Sequence, residues 1–232
     1  MKSRTRIWPI LLAAALGFML LLGLGIWQVK RLDQKTKLIS ALTERMSAPA
    51  VTLDDALAKK RAGEDPEYLK VHLSGSIDYS RALRKVTSFN GAPGWEVIAP
   101  IKLLDGRTVM VDLGAIGIDS AISPIAATTA FDGVIRSHDK GRGFFDNDND
   151  AKANIWFWWD LPRMAEATGA TPDMVWIVQR LPAPGQNGPE AQAPKVELSN
   201  NHLGYAITWF GLAAALLGVT GFYIRSLKKT DA

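Results

Sequence analysis

His202 is the residue of this chain best placed to hold a metal. It opens a long apolar segment in which Tyr205 and Trp209 follow at helical spacing, within the stretch Ser199–Ile224, SNNHLGYAITWFGLAAALLGVTGFYI. On a helix, residues 202, 205 and 209 share one face, so an imidazole is continued along the helix by two aromatic rings. Neutral imidazole ligates iron, and aromatic rings wall a flat, apolar, metal-bearing ligand. His202 is therefore a candidate metal ligand, with Tyr205 and Trp209 as cofactor-binding neighbours. A plainer reading makes His202 an interfacial residue and the two rings part of an aromatic belt, and the pattern alone leaves both open. Asn200 and Asn201, directly before the histidine, are of the type that caps helix N-termini.

The elements that position this face are two apolar segments. From Leu203 to Ile224 no residue is charged, and 22 residues rising about 1.5 Å each span roughly 30 Å of hydrocarbon. A second uncharged run covers Ile7 to Val29, preceded by Lys2, Arg4 and Arg6 and bracketed by Trp8 and Trp27. A cleaved signal peptide would have a shorter apolar region ending at a small-x-small site, and Ala13–Ala15 lie too early for one. The spacing thus predicts two transmembrane helices, 7–29 and 203–224. Bases before the first and after the second (Arg225, Lys228, Lys229) put both termini in the cytoplasm and residues 30–201 on the other side of the membrane. Small residues mark both spans: Ala13, Gly17, Gly23 and Gly25 in the first, and a stripe of Gly211, Ala214, Gly218 and Gly221 in the second. They suit close packing of the two spans, or of a partner's helix. Pairing within the chain would bring Trp27 and Gln28 beside His202 and Trp209.

The intervening domain reads as α+β, mostly antiparallel sheet. The first helix continues beyond Val29 through Leu32, Ile39, Leu42 and Met46 until Pro49 ends it. Thr52 and Asp55 form a capping box for a helix over Leu53–Arg61. Leu69, Val71 and Leu73 alternate with polar residues as in a half-buried strand, which puts His72 on its outer face. Trp95–Val111 reads as a hairpin turning at Asp105-Gly106 and returning through Val109–Leu113. Further strands are expected at Phe131–Ile135, Ile155–Trp159 and Met174–Leu181, with a helix at Leu161–Thr168 capped by Asp160 and stopped by Gly169. Pro182–Pro194 is a loop.

Composition excludes several functions. The chain has no cysteine, so disulfides and thiol nucleophiles are absent, and its net charge of +4 comes from bases flanking the spans. No basic, aromatic-interleaved patch suggests nucleic-acid binding. There is no Gly-x-Ser-x-Gly elbow or phosphate loop. Asp146, Asp148 and Asp150 alternate as in a calcium loop, but Ala151 stands where glycine is needed and Phe157 where glutamate is needed. That segment, with His138 and Asp139, reads as a solvated polar loop.

Several segments together resemble the Surf1 family of cytochrome c oxidase assembly proteins. They are Leu24-Gly25-Ile26-Trp27-Gln28 with Arg31 and Lys35, Gly94–Pro100, Leu104-Asp105-Gly106-Arg107, and Asn149-Asp150. Asn154-Ile155-Trp156, the helix from Asp160-Leu161 to Met164-Ala165, and above all NNHLGYAITWF complete the set. The resemblance runs from about residue 23 to 212. It implies a non-enzymatic factor that assists delivery of haem a to the large subunit of an aa3-type cytochrome c oxidase, with haem a synthase as a second partner and His202 as the haem-binding histidine. The implied setting is the bilayer of a bacterial inner membrane, with a periplasmic central domain. A membrane scaffold that holds oxidase subunits without a cofactor is the alternative. Where the family usually has Val-Asn-Arg-Gly-Trp, this chain has Val111-Asp112-Leu113-Gly114-Ala115.

Overall fold

The computed structural model describes residues 4–126, 128–138, 141–185, 187–194 and 200–230. Lys2, Asp139, Gln186 and the junction at 195–199 lie outside the described residues. In chain order the elements are α1 (Arg4–Ser47), α2 (Leu53–Arg61), β1 (Lys70–Ile77), β2 (Leu83–Phe89), β3 (Ala92–Leu103), β4 (Thr108–Gly117), β5 (Thr128–Arg136), β6 (Ile155–Trp156), α3 (Leu161–Thr168), β7 (Ile177–Arg180) and α4 (His202–Thr230). They form two compact units: Met1–Ala41 with Glu197–Ala232, and Leu42–Val196.

The first unit is a pair of helices. Both are long and apolar enough to cross a membrane. Their sheltered positions alternate at steps of three and four: Leu11, Ala14, Phe18, Leu21, Gly25, Gln28 and Leu32 on α1, and His202, Ala206, Trp209, Ala213, Leu216 and Thr220 on α4. That is the spacing of a left-handed helix seam. Of the two uses the stripe on the second span suits, packing against the first span is not the one found. Gly211, Gly218 and Gly221 have open space where a side chain would sit, and Ala214 is exposed. The smooth side of α4 toward α1 is instead made by Ala206 and Ala213, each 3 % exposed. On α1, Gly17 and Gly25 do meet α4 side chains, whereas Gly23 does not.

The second unit is a seven-stranded sheet in the order β1-β5-β7-β4-β3-β2-β6. It is antiparallel except for β4 with β7 and β2 with β6. The far end of β1 also pairs with β3, Gly75–Ile77 against Leu103–Ile101, so five strands close on themselves. Closure is tightest at Gly75, where a Cβ would collide with the Lys102 carbonyl oxygen. Val71, Leu73, Val97, Ala99, Ile101, Val111, Phe131, Ile135 and Val178 fill the interior, and Leu53, Ala56 and Leu57 of α2 pack against them. On the outer side, α3 covers Leu83, Ile98, Met110 and Ile177 with Leu161, Met164 and Ala165.

Local sequence signals are confirmed at both short helices. Thr52 and Asp55 form the reciprocal box on α2, Asp160 caps α3, and Gly169 ends it in the left-handed conformation at φ 70°. Two expected strands are shorter than the sequence suggests. Past Trp156 the chain leaves the ladder because Asn149 Oδ1 accepts the Phe157 and Trp158 amides at 2.7 and 3.3 Å. The last strand starts at Ile177 because Pro172–Met174 makes a helical turn first. β2, for which the sequence carried no clear alternation, pairs along its whole length with β3.

The segment that departs from the family pattern is a bulge. Val97 pairs with Gly114 and Ile98 with Asp112, which leaves Leu113 over. Its carbonyl is taken by buried Arg180, whose Nε donates at 3.0 Å. Gly114, at φ 117°, meets the returning chain at Glu190, which exchanges two 2.9 Å backbone hydrogen bonds with Ala115. Asp112 is only 4 % exposed. Burial first, then the charge of Glu96, pushes its carboxyl up to about 8 against the pull of the Gly114 amide, Lys85 and Arg180.

This buried acid sets a pH dependence. Asp112 keeps its proton in the folded protein while the unfolded chain releases it near the ordinary 3.8, so folding takes up a proton between these values and stability falls as pH rises from about 4 to about 8. Asp112→Asn retains an acceptor for the Gly114 amide and removes that slope, at most about 1.4 kcal/mol per pH unit. In urea unfolding followed by the fluorescence of the buried Trp156 and Trp176, the variant should match the parent near pH 4 and exceed it at pH 8.

Candidate functional site

The seam pattern places His202 toward α1, one turn before Ala206. Gly25 on α1 has Phe210 where its side chain would be, and a Cβ there would come within 2.6 Å of that ring. The backbones therefore approach closely, and three residues further on Gln28 reaches His202, with Oε1 2.7 Å from Nδ1. Gln28 is 8 % exposed, an amide enclosed by apolar neighbours. Trp27 meets the imidazole edge to face, with centroids 6.5 Å apart and planes at 81°. Two turns along α1, Thr36 Oγ1 accepts from Asn200 Nδ2 at 3.3 Å.

The residues singled out from sequence are separated by this geometry. His202 and Trp209 both lie on the sheltered side of α4, whereas Tyr205 is 56 % exposed. The reason is angular. At 100° per residue, Trp209 falls about 20° from His202 but Tyr205 about 60° away on the opposite side from Ala206. Trp27 and Gln28 come beside His202 as the pairing of spans requires. Gln28 as the direct partner of the imidazole, Phe210 as the ring that fills the place of Gly25, and Thr36 were not identified from sequence. The signal for Gln28 was present as an isolated amide near the end of an apolar run.

Two polar atoms at this site are buried and lack a hydrogen-bond partner among the described residues, Trp209 Nε1 and Asn200 Oδ1. Such orphans are uncommon in folded proteins and ask for an explanation. Elsewhere no group of three or more His, Asp or Glu gathers as a metal centre among the described residues. His72 lies on the outer face of β1, 2.9 Å from Asp132, and this hydrogen bond together with Lys70 holds the Asp132 carboxyl below its ordinary range. His138 is exposed beside Asp65 and Glu67.

The chain was compared with known proteins. A family model described as the SURF1 family matches residues 15–214. The chain is 32 % identical to Surfeit locus protein 1 of Takifugu rubripes, over 90 % of this chain and 92 % of that protein. It is 30 % identical to the human protein of the same name, over 90 % and 74 %. It is 28 % identical to a SURF1-like protein of Monosiga brevicollis, over 94 % and 87 %.

The seam is testable by crosslinking in this cysteine-free chain. Cysteines at Thr36 and Asn200, whose side chains touch, should form an intramolecular disulfide on mild oxidation. Gly25→Leu, which drives a side chain into Phe210, should lower its yield several-fold on non-reducing gels.

Proposed function

The chain belongs to the SURF1 family, and on that premise we propose that it is a non-enzymatic membrane factor in the assembly of an aa3-type cytochrome c oxidase, one that holds haem a on its way to the large subunit. Haem a synthase is the partner that would supply the cofactor. The observation that carries the reading is the imidazole of His202, half-buried at the seam of two apolar helices and held by one nitrogen.

The membrane setting is supported by surface. Leu12, Leu16, Met19 and Leu20 on α1, and Ile207, Leu217, Val219 and Phe222 on α4, are exposed large apolar side chains. An apolar surface this extensive matches hydrocarbon or partner helices. The bases at both ends orient the termini to the cytoplasm, and the central domain is then periplasmic in a bacterial inner membrane.

The residues present fit a haem. The group needs one imidazole rather than a cluster of ligands, apolar or aromatic walls, and polar contacts at its margin. His202 has a ring nitrogen without a partner among the described residues, Trp27 and Trp209 lie close by, and the orphaned Trp209 Nε1 and Asn200 Oδ1 are polar atoms in need of a partner. When bound, haem supplies the iron and the flat macrocycle. His202 would offer a lone pair to that iron, Trp27, edge to face with the imidazole, would limit the swing of the ring, and the seam shelters the imidazole in part. Tyr205, on the exposed side of α4, flanks the site from the lipid side.

His202→Ala should lower haem occupancy of the purified protein several-fold and change the spectrum of the haem that remains, while the chain stays inserted. His72→Ala and His138→Ala should do neither. If His202→Ala leaves both spectrum and oxidase assembly unchanged, the cofactor-free scaffold takes the place of the haem carrier. Topology is checked separately: alkaline phosphatase inserted at the Gly106 turn should be active, and fused after Ala232 inactive.

A further inference from the structure

The contact between Gln28 and His202 says which nitrogen of the imidazole is available. A carboxamide oxygen only accepts, so an oxygen 2.7 Å from Nδ1 requires the proton to be on Nδ1. A neutral imidazole protonated there carries its lone pair on Nε2. We propose that Gln28 is the positioning residue of this site: it fixes the Nδ1-protonated tautomer of His202 and holds the ring by that edge, so that Nε2 is the atom presented to the haem iron. The iron-binding half rests on the reading of His202 as haem ligand; the tautomer half does not.

Three features of the seam make Gln28 suited to this task. It is enclosed, so water does not compete for its oxygen. It is neutral, so it enters an apolar seam without the cost of a buried charge. Gly25, one turn earlier, lets the helices approach closely enough for the bond. Trp27 holds the ring from a second direction, leaving the imidazole little freedom to rotate. Outer partners of this kind orient metal-binding histidines and make the coordinating nitrogen more basic. The opposite arrangement, with the Gln28 amide donating to Nδ1, would put the proton on Nε2 and close that atom to iron.

The test reads the haem-free protein first. The full chain, labelled with 15N-histidine and reconstituted in lipid nanodiscs at a pH where its histidines are neutral, gives ring nitrogen shifts that distinguish the two tautomers; the signals of His202 are those missing from His202→Ala. The expected result is a single Nδ1–H tautomer in the parent and a mixture in Gln28→Leu, a substitution the apolar seam accepts. Haem should then dissociate at least about 10-fold more readily from Gln28→Leu than from the parent, with a changed spectrum. A parent protein with Nε2–H, or a Gln28→Leu variant with tautomer and haem affinity unchanged, overturns the inference. The two readings fail differently. An Nε2–H tautomer with haem still dependent on His202 refutes the role of Gln28 alone. A fixed Nδ1–H tautomer with haem indifferent to His202 refutes the ligand reading, and the iron-facing role of Nε2 with it.

Discussion

A polar side chain enclosed between two apolar helices has to find a partner, and that requirement organises the helical unit. Left unpaired, the Gln28 amide would cost about 1–3 kcal/mol. Its partner is supplied by the first residue of α4, and the rest of the seam serves that meeting. Steps of three and four keep one face of each helix turned to the other, the bare backbone at Gly25 admits the Phe210 ring, and Ala206 and Ala213 leave no bulk to hold the helices apart. The histidine is thus placed by packing and not by a loop, which makes its position as well defined as the helix axes.

The other unit uses its polar groups differently. Arg180 is occupied with the carbonyl of the bulged Leu113 and with that of Pro189. Glu67 receives Arg136 and the Ser137 amide at the end of β5, and Lys85 pairs with Glu96, which also accepts from Trp159. These contacts tie loops to a closed sheet and do not converge on an open cleft. Among the large apolar side chains that unit presents outward are Phe144 and Phe145, ring to ring at 4.9 Å and both 93 % exposed.

How much of this was legible in the sequence depended on the range of the signal. The capping box of Thr52 and Asp55, the Asp105-Gly106 turn, and the Asp160 and Gly169 ends of α3 are settled by residues within a turn of one another, and each lies where it was read. β2 was missed because Leu-Arg-Lys-Val-Thr-Ser-Phe has no strict alternation; it is a strand because β3 lies beside it. The aromatic run after Ile155 looked like a longer strand, but an asparagine eight residues upstream from Phe157 takes its amide away. In the helices, the glycine stripe of α4 is not the side that meets α1, since small residues are frequent on all faces of such helices. The alternation of Ala206, Trp209, Ala213 and Leu216 would have chosen the right one. Tyr205, about 60° from His202, lies toward the exposed side of α4, a difference in exposure that helical spacing alone did not separate.

The bond at the site joins residues 174 positions apart. During synthesis at 5–20 residues per second, roughly 9 to 35 s pass between the appearance of Gln28 and that of His202. Through that interval the first helix carries an amide without its imidazole partner, and a chain that stalls within the central domain never acquires it. The two sides of this seam therefore meet only after the whole central domain has been synthesised, which makes closure of the helix pair a late event in the making of the chain.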